Sequence, residues 1–443
     1  MKRISSFILS ILLLLSLASC GSKDTLLFLN WGEYIDEELI SAFEDKYNCT
    51  VVMDLADSNE LFYSKVVGGT TVYDVVCPSD YMVIKMYERG LLSEIDFNEI
   101  SYNPYDDNVR SGVKELTKIM QENSDDEIVN YFVPYLWGTW GIMYSTDKEG
   151  LEDAILNSSN EWSCLFDRSI LPDGTKVAMY DSYQHDYYAV CRYLGLDVYK
   201  EMPTSTLNQI KGVIKNMNYD AWGNDNIKKQ IVAGNYDVGY MWTGDFLYYY
   251  CENIASIVTE AFISKEIDYT EFEDMINSLV LNDEVYTSKK NKKYTIGFDL
   301  FIPTDTVAFC DNLVITKDSY NKELAHKFID FMSSYEAHVD DEAISPAFAN
   351  TYYVCYDTPF KNVYNDILGL KDELDYNESD IALFNEQSAD PFDSDLYWSF
   401  YDYATSLAFE KYYPEDGFKG SILATFDRNY VAEINRTFNN AKV

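Results

Sequence analysis

Thr25-Leu-Leu-Phe-Leu-Asn-Trp-Gly32, Thr50-Val-Val-Met-Asp-Leu55 and Tyr73-Asp-Val-Val-Cys-Pro-Ser79 together decide how this chain folds. Each is an apolar or alternating run of strand length that ends in turn-forming residues. The stretches between them have helical spacing. Asp36 stands where it can cap a helix whose Leu39, Phe43 and Tyr47 recur at i, i+4 and i+8. Ser79 caps a second helix, with Met82 and Met86 on one face and Gly90 at its C′ position. Alternation of this kind builds a mostly parallel sheet covered by helices on both faces.

The same grammar returns downstream. Tyr144 ends a strand, and Lys176-Val-Ala-Met179, Asp237-Val-Gly-Tyr-Met241 and Asn312-Leu-Val-Ile-Thr316 read as further strands. The last feeds a capped helix with Leu324, Phe328 and Met332 along its buried face. Two such sheets in 443 residues predict an α/β chain of two lobes. Ligands of open α/β sheets bind beyond the carboxyl ends of the strands. Trp31, Ser79, Asp181 and Trp242 fall there, and so does Asp311 if it begins its strand. Segment 251–295 fits the alternation poorly, with its polar Ser288-Lys-Lys-Asn-Lys-Lys293, and reads as an insertion on a lobe surface. The stretch 365–395 is acidic and irregular, and an aromatic helical stretch follows from Leu396 to Tyr413.

The formal charge of -40 argues against nucleic acid and anionic lipid surfaces as partners, since both need positive patches. It is compatible with a cationic ligand, although most of it belongs to a solvated acidic surface. Besides Cys20 there are seven scattered cysteines without C-x-x-C spacing, which predicts mostly buried free thiols with room for one pair. His185, His326 and His338 do not cluster at ligand spacing, so neither a metal nor another cofactor is expected. No Gly-x-Ser-x-Gly elbow, phosphate loop or histidine paired with a nucleophile is visible, which argues against an enzyme.

The N-terminus gives an address. Lys2 and Arg3 precede a nearly unbroken apolar run from Ile8 to Leu17, closed by Leu17-Ala-Ser-Cys20. So short an apolar core before small residues reads as a secretory leader over 1–19 rather than a membrane span. The cysteine resembles that of a bacterial lipobox, which implies cleavage before Cys20, acylation of its sulfur and a two-chain lipid anchor. The expected location is the periplasm or the outer face of the cell membrane.

A more specific resemblance rests on an ordered set of motifs. Asn30-Trp-Gly-Glu-Tyr34, then Tyr73-Asp-Val-Val-Cys-Pro-Ser-Asp-Tyr81 with Lys85-Met86 and Gly90-Leu-Leu92, come first. Val133-Pro-Tyr-Leu-Trp-Gly138, Tyr193-Leu-Gly195, Val238-Gly-Tyr-Met-Trp242 and Phe309-Cys-Asp311 follow. In this order they resemble the spermidine/putrescine-binding proteins of bacterial polyamine ABC transporters. The resemblance implies a two-lobed periplasmic-binding-protein-like fold of type II that closes on its ligand like a hinged trap. It implies lobe one over 20–138 with 310–350, and lobe two over 139–309 with 351–443. The implied ligand is a polyamine and the implied partners are the permease subunits, with the carrier itself a monomer. Trp31, Tyr34, Tyr81, Trp242 and Phe309 would wall its methylenes, and Glu33, Ser79 and Asp311 would make the polar contacts.

One segment departs from that pattern. Where the family carries an acidic pair in lobe two, this chain reads Tyr180-Asp-Ser-Tyr-Gln-His-Asp186. Ungapped counting places Asp181 or Ser182 at the first acid and His185 at the second, with Asp186 one residue off. Asp245 either faces the cleft or caps the helix at Phe246. Spermidine, putrescine and related cationic amines therefore stay open as ligands. A carbohydrate carrier on the same fold is the alternative, because aromatic clefts also stack sugars.

Overall fold

The computed structural model describes residues 23–223, 226–282, 285–339, 342–372, 391–392, 394–414 and 420–442. The leader and Cys20 lie outside the described residues, as does most of the acidic stretch at 373–390. No described helix is long and apolar enough to cross a membrane.

The first half forms as its pattern predicts. Strands β1 (Thr25–Asn30), β2 (Thr50–Leu55) and β3 (Val75–Val76) pair in parallel in the order β2-β1-β3. Helix α1 (Glu37–Tyr47) starts where Asp36 accepts the backbone N–H of Glu38 at 2.9 Å, and it buries Leu39 and Phe43. Helix α2 (Asn59–Gly68) is capped by Ser58. Helix α3 (Asp80–Glu88) follows Ser79 and is ended by Gly90 with φ 62°.

Two long strands change the expected sheet. β4 (Val133–Ser145) and β9 (Thr306–Thr316) are antiparallel partners, and each runs on beyond the sheet in which it starts. Val314 and Ile315 of β9 pair with β3, while Trp140–Tyr144 of β4 pairs with β7 (Val238–Trp242) and Ile142–Ser145 of β4 with β8 (Phe298–Phe301). β7 in turn continues in parallel into β5 (Val177–Tyr180), which pairs with β6 (Ala221–Gly223). One hydrogen-bonded path therefore links β2-β1-β3-β9-β4-β7-β5-β6 in place of two separate sheets. It is parallel at both ends and antiparallel in the middle, where the chain crosses over and returns. Every residue of β9 is buried. Asp311 therefore sits inside a strand at a register shift, not at a strand start.

Residues 251–263 are not peripheral, contrary to the insertion reading of 251–295. They complete helix α6 (Thr243–Ile263), in which Cys251, Ile254, Ala255, Val258 and Ala261 have no exposed surface. This helix forms a second apolar core with α7 (Phe272–Leu281) and the aromatic helix α9 (Asp395–Tyr412). Its helical pattern is weak in the sequence because apolar residues also stand on its outer face, with Tyr248 and Ile263 exposed. The lysine-rich turn is superficial: Lys289, Lys290 and Lys292 pair with Asp268, Glu266 and Glu260. Helix α8 (Lys322–Ser333) buries Leu324, Phe328 and Met332 as read. All seven described cysteines are buried free thiols.

Candidate ligand-binding cleft

The strand ends and helix starts converge on a cleft of about 740 Å³. Ten of the eleven residues singled out from the sequence line it: Trp31, Glu33, Tyr34, Tyr81, Asp181, Ser182, His185, Trp242, Phe309 and Asp311. Ser79 lies directly behind them. Glu33 is held at φ 52°, a left-handed conformation that a side chain with Cβ rarely adopts.

Asp311 is the best-built polar group. Tyr34 donates its hydroxyl to Oδ2 at 2.8 Å, and Ser79 donates to Oδ1 at 2.6 Å. Asn59 closes the arrangement, donating Nδ2 to the Ser79 oxygen at 2.9 Å and accepting the Ser79 backbone N–H at 3.0 Å. Ser79 thus spends its hydroxyl on Asp311 and makes no side-chain cap bond to α3, contrary to the capping role read from its position. Burial lifts the Asp311 carboxyl to about 7, against the pull of Ser79 and Tyr34. Among the described residues no lysine or arginine pairs with it.

Aromatic rings line the same cleft. Trp242 meets Phe309 edge-on at 4.4 Å, Tyr34 meets Tyr356 edge-on at 4.8 Å, and Trp31 packs on Phe62 at 4.6 Å. Tyr81 donates to Gln184 Oε1 at 2.8 Å and so joins the two walls of the cleft.

The divergent segment resolves residue by residue. Asp181 stands at the rim, half exposed, with its carboxylate on Lys442. Ser182 bonds Nδ1 of His185 at 2.7 Å. His185 stacks on Trp140 at 4.0 Å, and burial lowers its pKa to about 3, so it is a neutral wall rather than a charged contact. Asp186 is fully buried outside the cleft lining, and neither of its oxygens has a hydrogen-bond partner among the described residues. Burial pushes its carboxyl up; Lys442 opposes that rise and Asp181 adds to it. α4 (Tyr183–Tyr193) turns Asp186 inward one position after His185, which rules it out as a cleft contact without repacking.

The sequence reading had not picked out Glu60, Gln184, Lys228 and Tyr356, all of which line the cleft. Glu60 follows β2 as Ser79 follows β3, so the strand-end rule would have found it. Burial raises its carboxyl, with Lys85 working against this. Lys228, on α5 (Asn226–Val232), and Tyr356 carry no such signal. Asp245, for which two roles were open, faces the cleft: it accepts Tyr356 Oη at 3.0 Å and lies within the first turn of α6, whose N-cap is Trp242. Gly244 is required beside it, because a Cβ there would lie 2.5 Å from the Tyr356 ring. No group of three or more metal-ligating side chains occurs among the described residues. In all, seven carboxylates and two lysines line the cleft.

The chain is similar to several known proteins. The putrescine-binding periplasmic protein PotF of Escherichia coli is 23% identical over 356 residues, 77% of this chain and 82% of that protein. Spermidine/putrescine-binding periplasmic protein 1 of Haemophilus influenzae is 25% identical over 230 residues, which span 51% of this chain and 59% of the relative. Among solved structures, a putative spermidine/putrescine ABC transporter protein of Listeria monocytogenes superposes with a TM-score of 0.59 at 21% identity. That match covers 95% of this chain and 99% of the other. The TpPotD lipoprotein of Treponema pallidum gives 0.57 at 18% identity with the same coverage. These likenesses establish the two-lobed type II periplasmic-binding-protein fold. Residues 29–339 match the family model described as bacterial extracellular solute-binding protein, and the chain belongs to that family.

Proposed function

We propose that this protein is a carrier that captures a polyamine outside the cytoplasm and delivers it to an ABC transporter. The observation that carries this reading is Asp311: a buried carboxylate with two hydroxyl donors, in a cleft lined by aromatic faces and paired with no cationic side chain among the described residues. An ammonium group supplies what that site lacks. A hydrogen bond to a charged group contributes about 1.5–3 kcal/mol. An ammonium over an aromatic face adds roughly 0.5–2 kcal/mol, and each buried methylene about 0.8 kcal/mol. The Asp311 contact, the aromatic faces and three or four buried methylenes are the favourable terms that micromolar binding, about -8 kcal/mol, must assemble against the ordering costs of binding. The names of the relatives above point to the same ligand class.

In this reading β4 and β9 are the crossovers between lobe one (20–138 with 310–350) and lobe two (139–309 with 351–443), and cleft closure bends them. Acylation at Cys20 would tether the carrier beside the permease. Calorimetric titration of the protein with spermidine and putrescine, at low and moderate salt, tests the proposal. Micromolar binding that weakens as salt screens the charges is expected. Absence of heat with both amines would leave the fold standing and remove the ligand.

A further inference from the structure

Asp245 already has an ammonium of its own. Nζ of Lys228 lies 2.9 Å from its Oδ1, and the two side chains are only 8% and 14% exposed. Tyr356 donates to the same oxygen, and Glu33 lies 3.9 Å from Lys228. Asp311 and the largely buried Asp245 are linked through one aromatic pair. Tyr34 holds Asp311, Tyr356 holds Asp245, and their rings meet edge-on at 79°. They differ in one respect: Asp245 is neutralised by a lysine, and Asp311 is not.

A ligand amine arriving at Asp245 meets a carboxylate whose charge is spent and a fixed like charge beside it. Like charges brought together in a water-poor cleft discriminate strongly against the wrong ligand. We infer that Lys228 is a specificity-determining residue, a built-in ammonium that closes the Asp245 subsite to a further ligand amine and biases the cleft toward putrescine over spermidine. The inference rests on the amine-carrier reading above. Its physical basis is that removing Lys228 would leave a buried carboxylate in need of a cation.

The test is calorimetric titration of the intact protein and its Lys228→Met variant with putrescine, spermidine and 4-aminobutanoate. Wild type should prefer putrescine. Lys228→Met should raise spermidine affinity at least tenfold relative to putrescine, and adding Asp245→Asn should abolish the gain. Lys228→Gln keeps a hydrogen-bond donor for Asp245 and should shift the preference in the same direction if the methionine variant fails to fold. An unchanged spermidine-to-putrescine ratio in a folded variant overturns the inference and leaves the amine reading intact. Tighter binding of 4-aminobutanoate than of putrescine, lost in Lys228→Met, also overturns it, because Lys228 would then read a carboxylate. Wild type that binds neither amine overturns both.

Discussion

Tyr34 and Asp311, 277 positions apart, are joined by a 2.8 Å hydrogen bond at the head of the cleft, with the tyrosine hydroxyl donating to the carboxylate. The bond ties the loop after β1 to the middle of β9 and aims a negative charge into a cleft lined by aromatic side chains.

Replacing that charge is the most direct test of the site. Asp311→Asn keeps the shape and removes the charge-assisted bond, which is worth about 1.5–3 kcal/mol. Amine affinity should fall tenfold or more in calorimetry. An unchanged Kd would take Asp311 out of the site.

Affinity should also follow the protonation of Asp311. Because burial raises its carboxyl to about 7, above the value in the unfolded chain, the empty site takes up a proton as pH falls through neutrality. An ammonium needs the ionised form, so binding should be full above pH 7 and weaken below it, by at most about tenfold per pH unit for one linked proton. Titrations between pH 5.5 and 8.5 would reveal the slope, and Asp311→Asn should flatten it. The same shift makes the ionised carboxylate a burden on the empty fold, so Asp311 contributes a loss of stability as pH rises from about 4 to 7.

Trp242 lies between Phe309 and Trp140, with ring centroids 4.4 and 4.3 Å away. In the polyamine-carrier reading it offers a face to methylenes rather than to one amine. Trp242→Ala should weaken spermidine and putrescine by similar factors, about tenfold each, from lost apolar burial of roughly 1.5 kcal/mol. Competition binding with both ligands checks this, and an effect confined to one of them would assign Trp242 a different role.

Stability has its own test outside the cleft. Arg110 is 1% exposed, stacks on Tyr364 at 3.7 Å and pairs with the fully buried Asp357. Asp357 is itself bonded through its backbone to Trp137 of β4. Burial outweighs the guanidinium and lifts the Asp357 carboxyl to about 7. Arg110→Ala strands that carboxylate and should destabilise the protein by about 3–5 kcal/mol, measured by urea unfolding. A loss under 1 kcal/mol would mean that water or repacking replaces the pair.

Much of this was legible without coordinates. Alternating apolar runs closed by Trp31, Ser79 and Trp242 gave the α/β class, and the rule that ligands sit beyond strand ends singled out Trp31, Asp181 and Trp242, because local periodicity and turn chemistry depend on near neighbours alone. The family resemblance supplied Glu33, Tyr34, Tyr81, Ser182, His185 and Phe309. Tertiary structure decided what depends on distant ones. It joined the expected two sheets through β4 and β9, made α6 a core helix, and turned Asp186 inward while leaving His185 as a neutral wall. It also set Lys228 against Asp245, 17 positions on, and Tyr356 against Tyr34, 322 positions away. Spacing in the sequence carries no trace of them, since a charge and its partner need only meet in space.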